Sequence, residues 1–354
     1  MKRGTLVRFA IKRTLLCIPV LFGVVLLIFV VARVVSPDPA RAWAGIKASQ
    51  SYVNQLAAQY HINDPLPVAF YYYLVDLLSG NWGVTPDTHQ PVLSLVAAYL
   101  PATIELTVVA MVIIILVGIT LGVIAAINKD RWQDQLSRVT ALTGASAPPF
   151  LSALAVLFVF FYLLHWFPNG SRLDPTLTPP AGLNFAVGGF QVHIVTGLYI
   201  LDSVLSGNLV DLESSISHII LPALALAISF YGIGVTTRLV RSDMLRVLGE
   251  DYVRTAKAKG LGRSVVIFKH ALRNALIPAT TIIALNFATL LGGIVVIEDI
   301  FNWPGIGRFT VQALENLDYP AIMATTLIFA IFVVVANAVA DILYAMLDPR
   351  VQLE

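Results

Sequence analysis

Six uninterrupted apolar runs, at about 14–35, 101–127, 138–165, 219–240, 275–297 and 321–346, constrain this chain more than any other feature. Crossing the hydrocarbon layer of a bilayer takes about 20 apolar residues in a helix, and each run is long enough. Unpaired backbone amides cannot be left in lipid, so the runs are expected to be α-helices. Only 12% of the 354 residues are charged, against about 25% in an ordinary soluble domain. The expected fold class is therefore an all-α polytopic membrane protein with six transmembrane helices.

Charge sets the orientation. Of the 23 Lys and Arg, five lie in the N-terminal tail, three in Lys129–Arg138, nine in Arg238–Arg273 and one, Arg350, at the C-terminus. The opposite loops hold only Arg41, Lys47, Arg172 and Arg308, and Arg33 falls inside the first run. Basic loops stay inside, so both termini are expected in the cytoplasm. The net charge of +2 follows from topology and argues for no nucleic-acid partner. The single Cys17 excludes an internal disulfide. The first run exceeds the apolar core of a cleaved signal peptide, so it reads as a retained anchor despite a weak A-x-A at Ala40 and Ala42.

Between the fourth and fifth runs stands a basic stretch, Gly249 to Pro278. Leu245, Leu248, Tyr252 and Ala256 recur at helical spacing, predicting one helix with an apolar face. Lys257 and Lys259 suit the last turn of that helix, and Gly260 suits a left-handed cap. A short second helix is expected from Ser264, as N-cap, through Val265–Phe268. One explanation is a solvated inside loop kept basic by topology. The other is a handle whose apolar groups bury against a partner.

The segments between the runs are patterned. Helices are expected at Ser51–Tyr60 and Val68–Leu78, a turn at Asn81–Gly83, and apolar, strand-forming patches within 166–217. Tyr71, Tyr72 and Tyr73 suit a membrane interface. Arg33 is expected to snorkel or to join a buried ion pair. Glu105, four residues past Pro101, reads as a carboxylate stabilised by a helix start. Gly118 and Gly122 allow another helix close, and Pro148-Pro149 should bend the third run. Asn286, Gly292 and Gly293 either line a hydrophilic route or pack against a neighbour, and Asp341 reads as a structural partner for arginines near the inner end. No glycine is followed by lysine, and neither H-E-x-x-H nor G-x-S-x-G occurs. ATP hydrolysis, zinc-protease chemistry and serine-hydrolase chemistry thus have no motif here.

Arg254-Thr255-Ala256, Gly260 six residues after Arg254, and Pro278 before a membrane helix resemble the EAA loop of binding-protein-dependent ABC importer permeases. DYVRTAKAKG with HALRNALIP, DPLPV at 64–68, the GNWG turn, LPATIEL at 100–106 and LDPR at 347–350 are similar to the branch importing dipeptides, oligopeptides and nickel. Arg254 and Thr255 stand where Glu and Ala are usual, and Arg273 where a first proline is usual. The resemblance implies a type I ABC importer permease fold with two extracytoplasmic insertions. It divides the chain into 1–100, a first helix and external segment, and 101–348, the permease core, with a coupling segment at 249–278 and an insertion at 166–217. It further implies that Glu250, Tyr252, Arg254, Thr255, Ala256, Lys257, Lys259, Gly260 and Leu261 meet a cytoplasmic ATPase. The implied partners are a second homologous permease, two ATPase subunits, an extracytoplasmic substrate-binding protein and membrane lipid. No cofactor is expected on this chain, since ATP and Mg belong to the ATPases. A stand-alone secondary transporter or channel, and a cargo of oligosaccharide or nickel, are the competing readings.

Overall fold

A computed structural model describes residues 3–34, 38–45, 48–187, 190–229 and 232–347. The helices are α1 (Arg3–Val34), α2 (Pro39–Ala44), α3 (Gln50–Gln59), α4 (Leu66–Ser79), α5 (Val92–Ile127), α6 (Trp132–Ser146), α7 (Pro149–Val156), α8 (Tyr199–Ser206), α9 (Leu209–Ile228), α10 (Ile233–Leu248), α11 (Asp251–Ala258), α12 (Arg273–Ile300), α13 (Ile306–Glu315) and α14 (Tyr319–Leu347). Among the described residues, α1, α5, α9 and α14 are long and apolar enough to cross a membrane, and the bent pair α6–α7 makes a fifth. The expectation of an all-α chain needs one amendment. Strands β1 (Leu183–Val187) and β2 (Phe190–Ile194) form an antiparallel hairpin, within the 166–217 segment whose apolar patches suit strands.

Two of the six expected helices are broken. The third run divides at Ala147 and Pro148, both extended (ψ 128° and 147°). The cause is the proline pair, which withholds two amides and pushes the preceding residue out of the helical region. The fourth run, expected unbroken over 219–240, ends at Ile228 and resumes at Ile233. Ser229 there is extended, and Gly232 has ψ −114°. Gly232 has no room for a side chain, because a Cβ would fall 2.0 Å from the Ala227 carbonyl oxygen.

Helix α5 is the axis of the bundle. Ala102, Leu106, Ala110 and Ile114 on it are completely buried against Leu221, Ala225 and Leu226 of α9, Ile294 and Ile297 of α12 and Phe301 just past its end. Its other half packs on α10. A Cβ at Gly118 would fall 2.8 Å from Thr236 Cβ, and one at Gly122 2.7 Å from Val240 Cβ. The G-x-x-x-G is thus a packing device that lets two backbones approach. At the periphery α1 lies on α14, with Val25, Ile28 and Ala32 against Met323 and Leu327. Arg13 reaches Asp341 at 3.0 Å, in keeping with the structural role expected of that carboxylate. Phe22 and Phe29 of α1 meet Phe70 of α4 edge to face at 5.7 and 5.2 Å, holding α4 alongside.

Arg33 joins no ion pair within 4 Å among the described residues, against one of the two expectations for it. Its guanidinium donates to the carbonyls of Ile62, Tyr60 (3.4 Å) and His61 (3.5 Å), just past the end of α3. A cation there complements the orphan carbonyls of a helix C-terminus.

Candidate functional site

The single helix expected to carry Leu245, Leu248, Tyr252 and Ala256 is two, α10 and α11. Gly249 closes α10, and Glu250 turns extended (φ −70°, ψ 148°) before α11 begins. The Glu250 carbonyl accepts the first amides of α11, from Val253 (3.1 Å) and Arg254 (3.2 Å). Carboxylates at Glu250 and Asp251 suit the positive end of the helix dipole, and Lys257 suits the other end. The expected cap at Gly260 is present. Gly260 has φ +75°, its amide donates to Lys257 (3.0 Å), and the Leu261 amide donates to Ala256 (3.4 Å), the paired bonds of a Schellman motif.

The second short helix is not separate. Helical backbone begins at Arg263, with Ser264 inside it rather than capping it (φ −63°, ψ −40°, no side-chain cap bond). It passes through a wide, π-helical stretch at Val265–Leu272 and continues as α12 to Ile300. The amide of Val266 is taken by the Gly262 carbonyl instead, at 3.1 Å.

The apolar face of the stretch is largely satisfied within the chain, against the expectation of a partner for it. Val253 and Ala256 of α11 are buried among Val240, Met244 and Val247 of α10 and Val266, Ile267 and Ala271 of the wide turn. Tyr252 Oη accepts from Asn274 Nδ2 at 3.0 Å, adding a polar tie between α11 and α12. What faces outward is a second, mixed surface. Arg254, Thr255, Lys257, Lys259 and Gly260 are exposed, and Tyr252, Leu261 and Phe268 stand exposed among the cations at 42%, 41% and 60%. The Arg254–Asp251 pair at 3.4 Å is solvated and contributes little. Exposed aromatic and aliphatic groups within a basic rim suit a protein interface.

Three buried carboxylates, none singled out in the sequence for the work it does, brace the bundle. Asp134, fully buried at the start of α6, accepts from Arg241 Nη2 on α10 and Arg138 Nη2, each at 2.8 Å, and from the Asp130 amide at 3.0 Å. The i, i+4 spacing of Asp134 and Arg138 was the available signal; the link to Arg241, 107 positions away, had none.

Glu298 near the end of α12 accepts from Thr103 Oγ1 (2.7 Å) and from the amides of Gly307 (2.7 Å) and Arg308 (3.1 Å). It therefore caps α13 and pins the Trp303-Pro304-Gly305 turn beside α5, where Trp303 Nε1 donates to the Ala102 carbonyl at 3.0 Å. A Cβ at Gly305 would lie 2.2 Å from Glu298 Oε1, so the turn requires glycine.

Glu105 departs from its expected place. Helix α5 starts at Val92 and runs through Pro101, so Glu105 sits in its interior. It is buried, pairs with Arg172 Nη2 at 2.5 Å and accepts the Ile200 amide of α8 at 2.7 Å. Arg172 also donates to the Gly197 carbonyl (2.8 Å) and lies 3.6 Å from the Tyr199 ring centroid. The helix it stabilises by its start is α8, not its own.

Asn286, Gly292 and Gly293 belong to the backbone of α12, but their surroundings lie outside the described residues.

An α-helical bundle with broken membrane helices, buried carboxylate braces and a basic, partly apolar surface on a short helix between two of them defines the class: a polytopic membrane transport component. The chain belongs to the family of binding-protein-dependent transport system inner membrane components, which matches residues 118–353, with the family's N-terminal membrane component matching residues 6–107. It is 40% identical over 332 residues to the probable D,D-dipeptide transport system permease protein of Escherichia coli K12, covering 94% of each chain. It is 38% identical to the dipeptide transport system permease protein of Alkalihalophilus pseudofirmus, covering 97% of this chain and 99% of that one. To the glutathione transport system permease protein of Escherichia coli K12 it is 34% identical, covering 98% and 99%. This is a multi-pass inner membrane permease, one component of a transport system that depends on a binding protein.

Proposed function

We propose that this chain forms half of the translocation pathway of an ATP-driven importer of short peptides. The observation that carries the cargo is the run of relatives named for D,D-dipeptide, dipeptide and glutathione transport, each matched over nearly its full length. The membrane component would be six spans, with α12 as the fifth and α9–α10 read together, both termini inside, and 41–100 and 166–217 facing a substrate-binding protein outside. A second, homologous permease completes the pathway, and two ATPase subunits bind Mg-ATP.

In this reading α11 is the coupling helix. Glu250, Tyr252, Arg254, Thr255, Ala256, Lys257, Lys259, Gly260 and Leu261 form or support the face that meets the ATPase. Its own buried side, Val253 and Ala256, is fixed to α10 and the wide turn, so a push on the exposed face moves the membrane helices rather than bending a loop. Asn286, Gly292 and Gly293 are proposed to line the pore. ATP shifts the pathway outward only as far as it binds that state better than the inward one.

The test is reconstitution of the permease pair with the ATPases and the binding protein. Dipeptide uptake that requires both ATP and the binding protein supports the reading; a complex that assembles and hydrolyses ATP without taking up any dipeptide overturns the cargo.

A further inference from the structure

Two neighbouring helices of the 41–100 segment expose opposite chemistry. Helix α3 buries Val53, Leu56 and Ala57, and apart from Ala58 its outward positions are Gln50, Ser51, Asn54, Gln55 and Gln59. That is the pattern of a helix with water on its free side. Helix α4 packs Phe70, Tyr73, Leu74 and Leu77 into the cluster formed by α1 and α14. Its opposite side carries Val68, Tyr71, Val75 and Leu78, exposed by 43%, 62%, 45% and 85%. From Leu66 to Leu78 the one charged residue is Asp76, which is half-buried and accepts from Asn81 Nδ2 at 3.1 Å. A helix that is apolar all round is either enclosed by protein or set in a membrane. The exposure of Tyr71 and Leu78 excludes enclosure by this chain.

The position of α4 agrees. It lies on the half of α1 that ends at Arg33, where Phe70 meets Phe22 and Phe29, and the Tyr73 ring lies 5.5 Å from that of Phe29. This half belongs to the apolar span Arg8–Arg33 and itself exposes Leu27, Val30 and Val31. Helix α4 therefore sits beside a surface that the bilayer already covers. Its 14 residues rise about 21 Å, short of the roughly 30 Å of hydrocarbon, so it enters the membrane without crossing it.

The ends of α4 suit a place with little water. Pro65 and Pro67 have no amide to leave unpaired, and the amides of Val68 and Ala69 donate to the Pro65 carbonyl at 2.9 and 3.0 Å. At the other end the Asp76 carbonyl accepts from Ser79 Oγ and from the Asn81 amide, each at 2.9 Å, and the Leu77 carbonyl accepts from Trp82 Nε1 at 3.1 Å. Lipid offers such groups no partner, and here the chain supplies its own.

We propose that α4 is immersed in one leaflet of the bilayer, at the Arg33 end of α1, with Val68, Tyr71, Val75 and Leu78 against lipid acyl chains. Ser79, Gly80 and Asn81 then return the chain to water. This anchors the 41–100 segment at its middle and withdraws α4 from the surface proposed to face a binding protein. It is independent of the cargo.

The experiment uses the complete transporter in vesicles of phosphatidylethanolamine and phosphatidylglycerol, with partner subunits free of reactive cysteine. A nitroxide is attached in the Cys17→Ser chain at Val68→Cys, Val75→Cys or, for comparison, Gln55→Cys, and its collisions with oxygen and with a water-soluble nickel chelate are measured. At positions 68 and 75 oxygen collides several-fold more often than the chelate, and at position 55 the order reverses. Chelate collisions as frequent at 68 and 75 as at 55 place α4 in water and overturn the proposal. Exclusion of both reagents from 68 and 75 places another protein on this face and overturns it equally. A milder change gives a second readout: the emission added by Val75→Trp is quenched several-fold by lipids brominated in the acyl chain, and that added by Gln55→Trp is not. Equal quenching at the two sites would also overturn it, while peptide uptake, measured on the same vesicles, bears only on the cargo.

Discussion

Arg172 Nη2 lies 2.5 Å from the Glu105 carboxylate, 67 positions away in sequence, and each side chain is only 6% exposed. The pair fastens the 166–217 segment to the middle of α5. Removing one partner of a buried pair leaves the other charge unpaired, at about 3–5 kcal/mol, whereas replacing both by apolar groups can be nearly neutral. Arg172→Met is thus expected to lower the thermal transition of the purified transporter sharply, and Arg172→Met with Glu105→Leu to recover a large part of the loss. A double variant no more stable than the single one would show that the hydrogen bonds to Ile200 and Gly197 dominate.

Two glycines two positions apart separate backbone strain from crowding. A Cβ at Gly260 or at Gly262 meets nothing within 4 Å, and only Gly260 has positive φ. Gly260→Ala should cost roughly 1 kcal/mol of local stability and Gly262→Ala almost nothing. Gly260→Ile should insert normally but release the ATPase subunits or uncouple uptake from hydrolysis. Co-purification of the ATPases together with peptide uptake decides, and normal values for both would remove α11 from the coupling path.

The α5–α10 contact responds to crowding instead. A methyl group at Gly122 falls 2.7 Å from Val240 Cβ and 2.9 Å from the Thr237 carbonyl, so backbone must yield. Gly122→Ala is expected to destabilise by about 1–3 kcal/mol. Gly122→Ala with Val240→Gly, which removes the opposing Cβ, should regain part of that, read by thermal unfolding in detergent.

Topology is tested by labelling. With a cysteine placed at Ser79 or at Gly262 in a Cys17→Ser background, an impermeant maleimide applied outside intact cells should modify the first and spare the second. The reverse pattern would overturn the proposed orientation.

Asp318 caps α14 by accepting the Ala321 amide at 3.0 Å, just outside the apolar part of that helix. Burial pushes its carboxyl up to about 6, with nearby Asp87 adding to the rise. A carboxyl whose folded value lies above its unfolded one favours folding most when protonated. Its contribution is therefore full below about pH 4 and declines as pH rises toward 6. Asp318→Asn retains a capping oxygen without the titration, so the wild-type transition should fall relative to the variant's across that window. Parallel curves would exclude the effect.

Much of the frame could be read from residue type alone. Pro148-Pro149 announced the break between α6 and α7, Gly118 and Gly122 the α5–α10 contact, and Gly260 the left-handed cap, because each acts through local sterics. The break after Ile228 was hidden in an apolar run, since hydropathy sees Phe230 and Tyr231 as continuous with it and only Gly232 speaks against a helix. Glu105 lies in the interior of α5 rather than at its start, because nothing local to Pro101 reveals that the nine residues from Val92 to Leu100 already form helix before it. The partners of Glu105, Asp134 and Glu298 come from 67, 107 and 195 positions away, and no periodicity carries that information.

The wide turn at Val265–Leu272 holds more residues per turn than the helix that follows it. From there to Glu298 the chain runs without a described break, so helical phase is transmitted the whole way. Deleting one residue from the turn would rotate everything beyond it by about 100°. Glu298 would swing away from Thr103, α13 would lose its cap, and the Trp303-Pro304-Gly305 turn would come loose through a change made at the other end of the helix. The number of residues between Gly260 and Glu298 is therefore as firmly constrained as their identities.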